Sequence, residues 1–367
     1  MLICPVLTSY RQHLYDGLCD YFEYVSLYAD SKIGKGFESN KTGRFKFTHV
    51  DTFRFKKSLY YQKGILKAFL SEKPDLLFIT QDFRAMNFWL ILLVAKIYGV
   101  PLFLHTQGVY NKETRRSYFV YKFLYRCVAA MSAGYICYTE SVKQGLLRAG
   151  VAETKLTVMD NTVWNLHPLP PDQKAEIQIR PTALYVGRLR EGCYIPLLFD
   201  AMEILRESGH NLSLEIIGDG DQRSIFSEIA EERDLDIVFH GAIYDDGTIT
   251  EISRKCMMGV YPGDAGLSVI HYMSISLVPI THSNLAAHMG PEPSFIVDGY
   301  NGLMFERGSA QDLARAISKL LEHPEQRQQM SRNAFSTYEK LGEISMEHKL
   351  ASAMVGPLPI APSQTDL

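Results

Sequence analysis

Three short runs in the carboxy-terminal half of the chain combine glycine, arginine and a strand end in a way that suits an anionic ligand. Val186 is followed by Gly187-Arg188-Leu189-Arg190, Ile217 by Gly218-Asp219-Gly220-Asp221, and Tyr261 by Pro262-Gly263-Asp264-Ala265-Gly266. Arginine grips a diphosphate through paired, charge-assisted hydrogen bonds, and glycine lets backbone approach a ligand closely. The third run opens a segment of helical spacing. The amides of Gly266, Leu267 and Ser268 would therefore stand at a helix start, where free N–H groups and the helix dipole receive phosphate oxygens. Each run alone also suits an ordinary buried connection. Their succession along one domain points to a nucleotide diphosphate.

For the runs to share one edge, the strands before them must lie parallel. The sequence supplies that pattern. Short apolar runs predict strands at Thr182–Val186, Leu212–Ile217, Ile237–His240, Met257–Tyr261 and Leu277–Ile280, separated by helical patterns at Pro196–Glu207, Gln222–Arg233, Thr248–Lys255 and Leu267–Ser274. Ala310–Leu321 and Pro324–Leu341 read as charged amphipathic helices. Ligands of such sheets bind beyond the carboxyl ends of the strands, which is where the glycine and arginine runs fall.

The amino-terminal half alternates in the same way. Strands are expected at Leu2–Leu7, Asp75–Thr80, Pro101–His105 and Gly134–Tyr138, with helices at His13–Phe22, Arg84–Tyr98, Tyr118–Met131 and Glu140–Arg148. The proline-rich stretch from His167 to Pro171, and Arg180-Pro181, read as a linker, so the boundary is set near residue 164. The division is residues 1–163, residues 164–340, and a carboxy-terminal segment, residues 341–367, returning to the first domain and then fraying. The class is α/β, with two tandem doubly wound domains.

At 367 residues, 46% hydrophobic and 22% charged, the chain is long enough for two cores and ordinary for a globular protein. Its net charge of −3 hides a basic stretch between Lys32 and Lys67, interleaved with phenylalanine and tyrosine. That stretch suits an anionic membrane surface; a solvated loop is the plainer reading, and no nucleic-acid module accompanies it. Six cysteines form no CxxC pair and no cluster with histidine, which fits reduced thiols and no structural metal. The start lacks the pattern of a signal peptide, so a cytoplasmic location is expected. Met86–Leu104 is too interrupted to span a bilayer and divides into a buried helix and a strand.

In the first domain, Tyr10 and Arg11 follow the first strand, and His105 ends a later one. Tyr10 and Arg11 are placed to bind the acceptor, Arg11 to steady an anionic one. His105 suits a sugar ligand, or equally a core-edge histidine bonded to backbone. Arg115 and Arg116 read as solvating a helix start.

The order and spacing of these pieces resemble the retaining glycosyltransferases of GT-B fold, family four. The resemblance is carried by Pro5 to Arg11, Tyr138-Thr139-Glu140-Ser141, Asp160-Asn161-Thr162-Val163, Val186-Gly187-Arg188-Leu189, Ile217-Gly218-Asp219-Gly220, Phe239-His240-Gly241, Gly266-Leu267-Ser268 and Asp298 to Phe305. It implies two Rossmann-like domains facing a cleft, a nucleotide-sugar donor in the second and an acceptor mainly in the first. Arg188 would contact the diphosphate, and Gly266, Leu267 and Ser268 would offer amides to it or to the sugar. The loop from Phe239 to Tyr244, with Ile243, would lie against the base.

Three positions depart from the family pattern. The usual lysine five residues after the arginine of Gly-Arg-Leu is Cys193, and the two usual glutamates, eight residues apart, are Gly263 and His271. Losing the lysine removes a charge that stabilises the leaving group; Arg190 is the substitute in reach. Asp264 would serve sugar hydroxyls in place of the first glutamate, and His271 can still hydrogen-bond a ribose hydroxyl. The chain resembles a branch with histidine there and a later Gly-Pro-Glu, as in His288-Met289-Gly290-Pro291-Glu292, which makes Glu292 a carboxylate near the donor. The resemblance implies sugar transfer to a glycan hydroxyl, on a lipid-linked acceptor, with retention of configuration, in bacterial surface polysaccharide assembly such as capsule or O-antigen, peripheral to the inner face of the cell membrane. His105, Arg188, Asp264 and His271 would form the catalytic group, with no cofactor or metal. The alternatives are a non-catalytic nucleotide-sugar-binding partner and a sugar-nucleotide epimerase, the latter without assignable acid and base.

Overall fold

The computed structural model describes residues 1–30, 43–55, 59–108, 115–163, 165–174 and 180–359; for Ser9, Tyr10 and residues 115–118 it describes the backbone alone. The chain divides into two compact units. One is Met1–Asn161 with the segment from Ile344 onward, and the other is Thr162–Glu343.

The first unit holds a seven-stranded sheet. Its strands lie in the order Lys46–His49, Ser26–Asp30, Leu2–Val6, Leu77–Thr80, Leu102–Thr106, Gly134–Cys137, Leu156–Val158, each paired parallel to the next. The strands carry apolar residues on both faces (Leu102, Leu104, Tyr135 and Ile136 are buried) because helices cover both sides. Helix Met346–Val355, the returning carboxy-terminal segment, adds Met346, Leu350 and Ala351 to the core under Leu2–Val6.

Several elements here escape the alternation pattern. Ser26–Asp30 and Lys46–His49 join the sheet, and Thr52–Phe55 pairs with Leu59–Gln62 as an antiparallel hairpin. All three lie in or beside the basic, aromatic stretch, which therefore is no plain loop. Phe45 is buried, and Lys46 pairs with Glu72 at 3.4 Å. Residues 31–42 and 56–58 of that stretch lie outside the described residues. A second correction concerns Met86–Tyr98, expected as a buried helix. Phe88, Ile91, Leu92 and Ala95 are buried, yet Met86, Trp89, Leu90, Leu93, Ile97 and Tyr98 are exposed. Among the described residues no helix is long and apolar enough to cross a membrane.

The second unit holds a six-stranded parallel sheet in the order Ile237–Gly241, Ser213–Ile217, Thr182–Val186, Met258–Val260, Val278–His282, Leu303–Phe305. Numbered along the chain, that order is 3-2-1-4-5-6. Strand succession reverses between Thr182–Val186 and Met258–Val260. At such a switch point the loops leave in opposite directions and open a crevice for ligand beyond the strand ends. Its core is continuous, from Leu184 and Phe199 through Tyr272 to Leu313 and Ile317.

Candidate functional site

The two loops that flank the switch point are Gly187–Arg190 and Tyr261–Leu267, followed by helix Ser268–Ser274. They are tied together across it. Ser268 Oγ donates to the Val186 carbonyl at 3.0 Å, and Tyr272 Oη accepts from Val186 N–H at 2.9 Å. The sequence reading did not mark Tyr272, a large, fully buried tyrosine of this helix. Arg188 is exposed in this loop, as a residue that meets ligand from solvent must be.

Gly218 and Gly220 act on the neighbouring loop. A Cβ on either would run into the backbone carbonyl of Gly187 or Leu189, well inside van der Waals contact, and Gly218 has φ +145°. Gly187 N–H donates to the Ile217 carbonyl and Leu189 N–H to that of Asp219, both at 3.0 Å. These glycines fix the Arg188 loop by close backbone packing.

Gly266 and Glu292 are brought together. A Cβ on Gly266 would stand 3.7 Å from Glu292 Oε2 and 3.9 Å from the amide nitrogen of Gly290. Glu292 is buried, and its carboxylate lies beside the turn that leads into the helix, where Gly266 is itself buried and Leu267 and Ser268 are half-buried. Arg190 is half-buried with its guanidinium on Met289 Sδ, next to Gly290, and among the described residues it forms no ion pair.

Asp264 is already engaged. Its Oδ1 accepts from Arg307 at 3.0 Å and from His282 Nε2 at 3.2 Å. Among the described residues Oδ2 takes part in no hydrogen bond or ion pair. Arg307 and His282, which the sequence reading missed, orient the carboxylate. His288 orients the backbone beside it: Nδ1 accepts the Ala265 N–H at 3.0 Å, and Nε2 donates to the His282 carbonyl at 3.0 Å. Those two bonds require the neutral ring, and burial, with His282 stacked at 3.8 Å, pushes its pKa down to about 4. The unfolded chain takes up this proton near pH 6.5 and the folded chain does not. Stability is therefore held above that pH and lost as pH falls toward 4. Lowering pH from 7 to 5 should cost the second unit about 2 kcal/mol through His288. Denaturant titrations at both pH values will measure the loss, and the His288→Asn variant should show a smaller one; an equal loss in both would refute this assignment.

His271 follows Ser268 by one helical turn. Its Nε2 is buried with no hydrogen-bond partner among the described residues, and burial lowers its pKa, opposed by Asp246. A neutral imidazole with an open nitrogen suits a hydroxyl. Asp246 starts the helix after the Ala242–Asp245 loop, where Ile243 is half-buried against the core and Tyr244 is exposed. Phe239 and His240, expected in that loop, belong to strand Ile237–Gly241, and His240 bonds Glu215 at 2.5 Å.

The departures at Cys193 and Gly263 turn out to be one feature. A Cβ on Gly263 would fall on the Gly192 carbonyl oxygen and 2.7 Å from the Cys193 carbonyl, and Asp264 N–H donates to Gly192 at 3.3 Å. Cys193 is buried in the core and burial raises its thiol pKa. Space that a side chain at 263 would need is filled by the 192–193 turn.

In the first unit, His105 is buried, stacked on Tyr138 at 4.1 Å, with Nε2 lacking a partner among the described residues. Burial, and next the nearby Arg11 charge, hold its pKa well below the usual value, so it is neutral. Arg11 is buried, donates to Asn161 Oδ1, and lies 5.8 Å over the Tyr138 ring. Its guanidinium is thus committed within this unit. The Tyr10 side chain, and those of Arg115 and Arg116, lie outside the described ones.

Residues 171–337, within the second unit, match the family described as glycosyl transferases group 1. Solved structures similar to the whole chain include Anabaena Alr3699/HepE in complex with UDP and glucose (14% identity, TM-score 0.68, covering 96% of this chain and 98% of that one). Others are the glycosyltransferase of Rickettsia africae ESF-5 (13%, 0.68, 96% and 97%) and the apo lipopolysaccharide outer core galactosyltransferase WaaB (15%, 0.68, 96% and 98%). At such identities the likeness defines the fold, which is GT-B. No curated protein matches the chain.

Proposed function

We propose that the chain is a glycosyltransferase that moves a sugar from a nucleotide-diphosphate donor to a hydroxyl of a glycan on a lipid carrier, with retention of configuration. The observation that carries the reading is the second sheet's switch point, where an exposed arginine, Arg188, a turn of bare backbone at Gly266–Ser268 and the buried Glu292 converge. The matched domain and the UDP and UDP-glucose complexes of Anabaena HepE support it.

In this reading Arg188, Arg190 and the amides of Gly266, Leu267 and Ser268 hold the diphosphate as charge grows on it, and His271 bonds a ribose hydroxyl. Asp264 Oδ2 and Glu292 bond sugar hydroxyls, and the Ile243 loop meets the base. His105 is a neutral hydrogen-bonding group for sugar or acceptor. The acceptor hydroxyl attacks on the face the diphosphate leaves. The proposal calls on no resident metal or cofactor, and it sets the work in surface polysaccharide assembly at the inner face of the membrane.

Incubation with UDP-, GDP-, ADP- and CDP-sugars, followed by binding, slow hydrolysis and transfer to lipid-linked acceptor, tests it. Binding with transfer or hydrolysis is expected. Binding with neither would leave a non-catalytic sugar-nucleotide-binding partner, a reading that the buried, uncharged Cys193 favours.

A further inference from the structure

We infer that the first unit carries a docking surface for an anionic phospholipid bilayer, built on the outer face of helix Met86–Tyr98. This names a partner for the chain and rests on no step of the donor chemistry.

The helix is apolar on both faces. Phe88, Ile91, Leu92 and Ala95 form one stripe and are buried; Met86, Trp89, Leu90, Leu93 and Ile97 form a second, offset by about 200°, and are exposed, Ile97 by 70%. A helix lying on a globular surface ordinarily turns polar residues to water, and one apolar all round is covered on both sides. Here the outer stripe has Lys96 as the helix's one charge.

The apolar face continues onto its neighbours. Phe83 packs between the two helices, stacked on Trp89 at 5.5 Å and edge-on to Tyr125 at 5.2 Å, which sets helix Arg115–Met131 alongside. That helix adds Val120 and Phe123, the latter 66% exposed. On the other side Tyr98 meets Phe69 at 5.9 Å, and Leu70 is exposed. Contiguous apolar surface over three elements exceeds the scattered exposure a soluble surface tolerates.

Charge selects the occupant. Residues 51–135 carry 13 lysines and arginines against 5 acidic residues, in a chain of net charge −3. Lys67 and Lys96 are exposed at the border of the patch, and among the described residues neither forms an ion pair. A second copy of the chain would set this basic rim against itself. An anionic bilayer meets both features, taking the apolar stripe to the acyl boundary and the cations at the headgroups, with Trp89 and Tyr98 suited to the interface between them. At 13 residues the helix lies in the plane of the surface and does not cross it.

The test is co-sedimentation of the full chain with sucrose-loaded vesicles, of phosphatidylglycerol and phosphatidylcholine in equal parts or of phosphatidylcholine alone. The wild type should pellet with the anionic vesicles and be released by about 0.5 M salt. Leu93→Glu with Ile97→Glu should lower the partition coefficient at least about tenfold. Lys67→Gln and Lys96→Gln should each lower it about fivefold, and these carry the test if the glutamate pair fails to fold. Nucleotide-sugar binding should stay at the wild-type level throughout. A wild type that stays in the supernatant, or variants that pellet equally well, overturns the inference. So does a wild-type dimer that the glutamate pair dissolves, which gives the face to a second copy, or retention on an acidic protein with no uptake by vesicles.

Discussion

Replacing Arg188 with alanine is expected to weaken binding of the nucleotide-diphosphate donor by roughly 100-fold or more, with no change in the unfolding midpoint beyond about 1 °C. Arg188 is exposed, in a loop whose shape is held by backbone bonds from Gly187 and Leu189. Truncating it should leave the fold alone. What is lost is a planar fork of donors against a doubly charged diphosphate, worth about 1.5–3 kcal/mol per charge-assisted bond. Arg188→Lys should recover part of the affinity, because it restores charge without the paired geometry. Calorimetry on the variants decides the matter, and unchanged affinity in Arg188→Ala would refute this placement of the diphosphate.

Restoring the family's usual residues is expected to damage the protein. Gly263→Glu should cost upwards of about 3 kcal/mol and lower the unfolding midpoint of the second unit by roughly 10 °C. Any side chain at 263 meets main-chain atoms of Gly192 and Cys193, and main chain yields far less readily than the end of a flexible side chain. Cys193→Lys should be about as harmful, because it places an ammonium among core side chains. Thermal melts and turnover of both variants test the point. A folded Gly263→Glu protein with raised turnover would show that the missing glutamate is a simple loss, and that the 192–193 turn has not replaced it.

Much of the fold could be read from the chain because its strands are buried on both faces and so appear as short, nearly continuous apolar runs such as Thr182–Val186 and Gly134–Cys137. The elements that escaped are those whose pairing is set by distant partners. Lys46–His49 is a strand because Ser26–Asp30 offers it an edge; its own side chains are largely polar and only partly buried. Met86–Tyr98 was expected to be buried because hydrophobicity alone does not say which face lacks a neighbour.

In the site, strand ends were legible and side-chain commitments were not. The sequence placed Gly218 and Gly220 beside a ligand, whereas their tightest requirement is the carbonyls of Gly187 and Leu189. It offered Asp264 as an open carboxylate, and His282, 18 residues later, and Arg307, 43 residues later, occupy one of its oxygens. Arg11 looked available after the first strand, yet Asn161, 150 residues away, accepts from it. Such pairings depend on which strands are neighbours, and periodicity carries no record of that.

The central claim is that the crevice between the ends of Thr182–Val186 and Met258–Val260 holds the diphosphate. The most direct measurement is a crystal structure of the chain soaked with whichever nucleoside diphosphate binds in solution. The account predicts phosphate oxygens within hydrogen-bond distance, about 3 Å, of the Gly266–Ser268 amides and the Arg188 guanidinium. Nucleotide lodged instead at the strand ends of the first unit, beside His105, with that crevice empty, would contradict it.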